Sequence, residues 1–199
     1  MQMWVGGTRR KIVGALLALT AATLVAVGTQ PLERSPQVLG RMTDNPVAAY
    51  YAEFAPTTES VGWTGSRTTC EPGTIRADYR EDVLDRVNYF REISGVDPVT
   101  TSADLDASAQ AAAIIQSHLD KPTHLPSLGS RCFSSAGATG SAQSLLHLNS
   151  GLGAVDELIH DYGDINDDVG HRAWLLAPEL RQIGIGEIPG PAETDAMAI

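Results

Sequence analysis

The sequence has few basic residues, and this scarcity narrows the partners that the protein can have. Its 199 residues include 14 Lys or Arg and 24 Asp or Glu, so the formal net charge is −10. Only two residues are lysines, and no run of basic residues follows the first dozen positions. A phosphate-binding surface requires clustered Lys and Arg. We therefore expect no nucleic-acid partner.

Acidic residues are absent from the first 28 positions, and this segment has the features of an export signal. A basic stretch at 9–11 precedes an apolar run at 12–27, which is short for a membrane-spanning helix of about 20 residues. Ala26 and Gly28 are the small residues that signal peptidase requires for a cut after position 28. The alternative is an uncleaved N-terminal anchor. Both predict that the rest of the chain is extracellular or associated with the cell envelope, and that only this segment enters a membrane.

Cysteine is also scarce, since Cys70 and Cys132 are the only two in the chain. In an exported protein the simplest interpretation is a disulfide bond between them. On the chain-entropy model, a bond across this 62-residue separation would stabilise the fold by about 4 kcal/mol. The alternative is a catalytic thiol at one of the two positions, which an even number of cysteines in an exported chain disfavours.

Composition divides the rest of the chain into a linker and one domain. Residues 29–77 are rich in Pro, Thr, Ser and Gly, which predicts a linker. Within this linker, a helix-compatible island at 46–54 is interpreted as a short docking element. From 78 to 199 the apolar residues recur at regular spacing, and the length of this part suits a single domain.

Hydrophobic periodicity predicts the helices and strands of that domain. Helical segments are expected at 83–93, 105–119, 141–148 and 154–162, and strands at 183–188 and 195–199. Tyr162 is expected on the apolar face of the last of these helices. The first strand is predicted because apolar residues alternate there with Gly184 and Gly186.

Four features of the domain carry a resemblance to a known family. They are Val83-Leu84-Asp85-Arg86-Val87-Asn88-Tyr89-Phe90-Arg91, Gly95-Val96-Asp97-Pro98-Val99, the lone loop histidine His124, and Gly170-His171-Arg172-Ala173-Trp174-Leu175-Leu176 followed by Ile183-Gly184-Ile185-Gly186. Together they resemble the CAP superfamily, which includes cysteine-rich secretory proteins, antigen 5, plant pathogenesis-related 1 proteins and bacterial secreted SCP-domain proteins. The resemblance covers about residues 80–190. It implies an α+β fold, an α-β-α sandwich with an antiparallel sheet between helices. Because the sequence ends at Ile199, within the second predicted strand, we expect a shortened sheet.

The resemblance also implies a cleft lined by two histidines and two acids. The histidines correspond to His124 and His171. The first acid falls on Ser144, so this chain has a hydroxyl where the family has a glutamate. The second acid falls on Asp161, with Glu157 one helical turn earlier as the other choice. The missing acid disfavours acid-dependent chemistry in this cleft.

Two neutral imidazoles that lie close together can bind a divalent metal, and zinc is favoured among the common ions. His124 and His171 are therefore the predicted metal ligands. Asp161 is either a third ligand or the acceptor that orients one of the rings. Both histidines also have a purely structural interpretation, since His124 can brace its loop and His171 can cap a helix.

Two functional hypotheses of different class follow. In the first, the domain is a disulfide-stabilised extracellular module that binds a metal and, because members of this family bind lipids and sterols, an apolar or cell-envelope ligand. In the second, it is an extracellular, peptidase-like hydrolase with Ser144 as nucleophile, a histidine as base and Asp161 as the orienting acid. The chain has no His-Glu-x-x-His and no Gly-x-Ser-x-Gly motif. The missing acid favours the binding module.

Overall fold

The computed structural model describes part of the chain, namely residues 45–48, 60–148, 151–162, 168–190 and 196–199. The predicted export segment and most of the predicted docking element lie outside these residues. Of the helices within them, none is both long and apolar enough to cross a membrane.

The domain combines helices with short strands. The helices are α1 (Ala77–Ile93), α2 (Ala103–Gln116), α3 (Ser135–Gln143), α4 (Gly153–His160) and α5 (Gly170–Leu175). The strands are β1 (Thr100–Thr101), β2 (Leu146–His147), β3 (Gln182–Ile183), β4 (Gly186–Ile188) and β5 (Ala196–Ala198). An antiparallel sheet has the order β2-β5-β4, and β1 pairs with β3 in parallel. The predicted α+β fold class is confirmed.

Helix α1 follows the apolar spacing from which it was predicted. Tyr79, Val83 and Val87 recur every four residues, and all three are buried in the main core. The helix ends before Gly95, which has the left-handed φ of +74° that glycine adopts without steric cost. The structure also extends the helix at its start, to Ala77.

The strands lie between two groups of helices. On one side, Ala112 of α2 clusters with Leu146 of β2 and Ala198 of β5. On the other side, Ile183 of β3 belongs to the core that includes Val83 of α1 and Leu158 of α4. The small alanine side chains of α2 allow it to approach the sheet closely.

Glycine is required where the strands after α5 approach α2. A Cβ atom at Gly184 would lie 2.1 Å from the carbonyl carbon of Leu105, and one at Gly186 would lie 2.2 Å from the backbone nitrogen of Gln110. The prediction of one continuous strand at 183–188 is wrong, because β3 pairs with β1 whereas β4 pairs with β5. The predicted partner strand near the C-terminus is confirmed as β5.

Helix α3 lies earlier in the chain than the helical segment expected at 141–148. Its start is capped by Ser134, whose hydroxyl oxygen accepts from the Gly137 N–H at 3.0 Å. After Gln143 the chain extends, and the Leu145 N–H donates to the carbonyl of Ile199 at 2.8 Å. Pairing with β5, which is distant in sequence, therefore overrides the local helical pattern.

The folded part begins before the predicted domain boundary at 78. Val61 and Ile75 are buried in the main core, and the Trp63 indole N–H donates to the carbonyl of Pro72 at 2.7 Å. The glycine- and threonine-rich composition here indicated a lack of helix and extended strand. It could not indicate burial, which needs no regular secondary structure. The predicted linker is therefore too long, because residues 60–76 belong to the folded body.

The predicted disulfide between Cys70 and Cys132 is confirmed. Cys70 lies in the segment before α1, and Cys132 lies in the loop between α2 and α3 that also carries His124. The bond therefore joins the N-terminal part of the folded body to this loop.

A buried arginine connects α1 to the end of α5. The Arg91 guanidinium donates to the carbonyls of Asp97, Leu175 and Ala177, at 2.7, 2.5 and 3.3 Å. These bonds satisfy the charged group in the interior, where an unpaired cation would be costly. Because α5 carries His171, the same bonds also help to hold the helix that contributes to the cleft.

Candidate functional site

A cleft of about 980 Å³ is bordered by residues of α2, α3 and α5. His124, Ser144, Asp161 and His171 all line it. The four residues that the family resemblance assigned to a cleft are therefore placed around one cavity. They come from a loop, the end of a helix, a helix cap and the first turn of another helix.

His124 is oriented by a backbone carbonyl. Its ring nitrogen Nδ1 lies 2.8 Å from the carbonyl oxygen of Ser141 on α3. A carbonyl oxygen can only accept a hydrogen bond, so Nδ1 carries the proton in this arrangement. In the neutral ring, Nε2 is then unprotonated and has a lone pair for a ligand.

His171 is oriented by a buried carboxylate. Asp161 Oδ1 lies 2.8 Å from His171 Nδ1, and Asp161 Oδ2 accepts from the Arg172 N–H at 3.2 Å. Asp161 is the C-cap of α4 with a left-handed φ of +54°, a conformation that Asp tolerates better than most residues. Its side chain is only 1% exposed. The neutral His171 ring therefore also presents Nε2 as its free nitrogen.

Of the two acids considered from the sequence, Asp161 is the one that lines the cleft. Glu157 is half exposed and pairs with a different histidine, since its Oε2 lies 2.8 Å from His147 Nε2. The backbone at Asp161 leaves the helical path, and this turns its carboxylate towards α5. Helical spacing alone could not distinguish the two positions.

Ser144 lies at the C-terminal end of α3 and is buried in the cleft wall. Its backbone is extended (φ −100°, ψ 153°), because the chain turns there towards β2. In the described part of the chain, no hydrogen bond joins the Ser144 hydroxyl to either cleft histidine.

Much of the remaining lining is apolar, and two exposed aromatic residues stand at its edge. Tyr162 is 80% exposed and Trp174 is 68% exposed, and both line the cleft. The expectation that Tyr162 packs on the apolar face of its helix is wrong. Asp161 ends the helical rotation one residue earlier, and the Tyr162 ring stacks instead on His160, with 5.2 Å between the ring centroids.

The available donors fit an open metal site better than a closed one. Within the described ranges there is no group of three or more His, Cys, Asp or Glu side chains that could hold a metal ion. Asp161 uses both carboxylate oxygens on the protein, so it fits the role of an acceptor that orients His171. His124 and His171 remain as the two side chains with a free imidazole nitrogen in the cleft.

We predict that Asp161→Asn switches the tautomer of His171. An asparagine has one accepting oxygen where the aspartate has two. The Arg172 N–H cannot become an acceptor, so the amide oxygen should face it and the amide NH2 group should face His171. The ring must then accept at Nδ1 and carry its proton on Nε2. Nitrogen chemical shifts of the ring, measured by NMR at mildly alkaline pH, will report the change.

Glu157→Gln provides the matched control for this prediction. It makes the same chemical change four residues earlier, on the acid that pairs with His147. His171 should keep its proton on Nδ1 in this variant. If Asp161→Asn also leaves the proton on Nδ1, the carboxylate does not determine the tautomer.

The described strands and helices, the disulfide and the two-histidine cleft define an α+β domain of the CAP type. A family model described as the cysteine-rich secretory protein family, CAP, matches residues 84–195, which is more than half of the chain. The chain belongs to this family. No individual curated protein and no solved structure matches it.

Proposed function

We propose that this protein is an exported CAP-domain module whose cleft binds a divalent metal, with zinc favoured, through His124 and His171. One observation carries the proposal. Both rings line the same cleft, and each has its Nδ1 held by an acceptor, the carbonyl of Ser141 for one and the carboxylate of Asp161 for the other. Both therefore offer Nε2, the nitrogen that a metal would use.

The donor set determines the kind of metal site. Zinc accepts imidazole nitrogen and prefers four ligands, so two histidines leave positions for water or for a group of another molecule. A carboxylate hydrogen-bonded to a ligating histidine makes that ring more basic and fixes its orientation. We therefore expect moderate affinity and a metal that stays accessible from the cleft.

We predict that protein stripped with a chelator takes up a single zinc ion per chain at about pH 7.5, and that uptake falls on acidification to about pH 5. Only neutral imidazole binds the metal, so protons compete with zinc. Calorimetric titration and metal analysis after dialysis measure both effects. Uptake that does not change with acidification would argue against histidine ligation.

Ser144→Glu sharpens this test because it restores the acid that the family resemblance assigns to the cleft. A carboxylate at this position should strengthen zinc binding. Ser127→Glu is the matched control, since it adds the same charge at an exposed site in the loop between α2 and α3. If the two variants raise affinity equally, the effect is one of net charge and not of ligation.

We also propose that the cleft accepts an apolar or cell-envelope ligand. The support is its size, its apolar side chains from Leu105, Leu145 and Ile183, and the exposed rings of Tyr162 and Trp174 at its edge. Quenching or a shift of tryptophan fluorescence on addition of a fatty acid, lost in Trp174→Phe, would support this part of the proposal.

The hydrolase hypothesis uses the same cleft. Asp161 and His171 form the acid and base pair that such a mechanism needs, and Ser144 lines the same cavity. No hydrogen bond joins Ser144 to an imidazole in the described residues, so the nucleophile lacks its activating contact. We therefore propose binding as the function.

Export is the remaining part of the proposal. A disulfide and a CAP domain are typical of extracellular proteins, and the first 28 residues have the composition of a signal. N-terminal sequencing of material recovered outside the cytoplasm should give a mature protein beginning near Thr29. A retained Met1 would indicate an anchor, and accumulation of reduced protein in the cytosol would contradict export.

A further inference from the structure

A buried amide lies between the main body of the domain and the loop that carries His124. Gln116 is the last residue of α2 and is 1% exposed. Its Nε2 donates to the Thr123 carbonyl at 2.8 Å and to the Ser141 hydroxyl at 2.9 Å, and its Oε1 accepts from the Thr123 N–H at 3.0 Å. Every hydrogen-bonding atom of the side-chain amide is therefore used.

These bonds act on both sides of His124. Thr123 precedes His124 in the chain, so the amide fixes the backbone from which the ring projects. Ser141 supplies the carbonyl that accepts from His124 Nδ1 at 2.8 Å, so the same amide also holds the residue that fixes the tautomer. The His124 residue itself is exposed. An exposed ring on a loop would otherwise sample several orientations.

We infer that Gln116 is a positioning residue for His124. Gln116 sets the orientation of the His124 ring and keeps the ring proton on Nδ1, so that Nε2 can bind a metal. The metal-binding part of this inference rests on the proposed function. The orientation and the tautomer can nevertheless be measured without any metal.

A second buried glutamine, Gln110, provides a control that distinguishes positioning of His124 from a purely structural role. Gln110 lies on the same helix, is 3% exposed and makes the same kind of bonds. Its Nε2 donates to the carbonyls of Glu187 and Pro72, at 2.9 and 3.0 Å, and its Oε1 accepts from the Glu187 N–H at 3.0 Å. These partners belong to β4 and to the segment before α1. Loss of Gln110 should therefore cost stability without loosening the His124 loop.

The test compares Gln116→Met with Gln110→Met, because methionine keeps the length of glutamine and removes its hydrogen bonds. In Gln116→Met we expect the nitrogen shifts of His124 to move from the Nδ1–H pattern to a mixture of tautomers. Zinc affinity should fall about 10- to 100-fold, the loss typical of removing a group that orients a metal ligand. In Gln110→Met the His124 nitrogen shifts should not change, and zinc affinity should stay within about twofold of the wild type. The melting temperature should nevertheless fall.

The inference is overturned if the two variants change the His124 shifts equally, or if Gln116→Met leaves them unchanged. If wild-type protein binds no zinc, the proposed metal function fails, and the tautomer measurement still decides the role of Gln116. Should Gln116→Met not fold, amide exchange in the wild type provides the second measurement. The Thr123 N–H, which donates to Gln116, must then be protected, whereas the backbone amide of Leu128, an exposed residue of the same loop, should exchange quickly. Rapid exchange at Thr123 would contradict the positioning role of Gln116.

Discussion

Replacing Cys70 and Cys132 together by alanine is expected to lower the free energy of unfolding by about 4 kcal/mol, close to a thousandfold shift in the folding equilibrium. The bond closes a loop of 62 residues. Without the disulfide, the unfolded chain has more accessible conformations, so its conformational entropy rises. The loss is large compared with the total stability of a domain of this size, which is about 5–15 kcal/mol.

Alanine is the appropriate replacement because both cysteines have a left-handed φ of 59°. A residue with a Cβ atom is strained in this conformation, and alanine keeps that strain unchanged. Denaturant unfolding of the variant should agree with unfolding of reduced wild-type protein. Thiol titration of the oxidised wild type under denaturing conditions should find no free thiol. Equal stability of oxidised and reduced protein would contradict the prediction.

The disulfide also affects how the cleft is built. The loop from the end of α2 to the start of α3 is fixed near its beginning by Gln116 and near its end by Cys132. His124 lies between these two attachments. We therefore expect reduction to weaken zinc binding less than Gln116→Met does, because the amide bonds adjoin the histidine and the disulfide lies eight residues away.

Several features of the fold could be predicted because their causes are local. The periodicity of Val83 and Val87 predicts one buried helix face, and the presence of two cysteines predicts one disulfide bond. The Gly170-His171-Arg172 segment and the Ile183-Gly184-Ile185-Gly186 segment that follows it carried the resemblance to the family, which the match over residues 84–195 confirms.

Other features depend on contacts that no local pattern contains. Leu146 belongs to a strand because Ala198 pairs with it, and the helical spacing around it carries no information about that partner. Val61 and Ile75 are buried although the sequence near them resembles a linker. In the site, Asp161 and not Glu157 lines the cleft because the backbone at Asp161 is left-handed. The contact of Gln116 with Thr123 forms because the loop after α2 folds back onto the end of that helix.

Replacing either His124 or His171 by alanine is expected to remove most zinc binding. Loss of a group that only orients a ligand costs about 10- to 100-fold in metal affinity. Removing one of two ligands removes the metal–nitrogen bond itself, so the loss should exceed that range. Calorimetric titration of each variant with zinc at about pH 7.5 measures the effect.

The two variants should differ in stability even though both lose the metal. His171→Ala leaves the buried Asp161 carboxylate without the hydrogen bond from the His171 ring, which should cost about 1–3 kcal/mol. His124→Ala removes an exposed ring that bonds only the Ser141 carbonyl, and water can take the place of that ring, so its cost should be smaller. His160→Ala is the matched control, because it removes an exposed histidine at the end of α4 that does not line the cleft. If zinc uptake is the same in all three variants, the metal site is wrong and the family assignment alone remains.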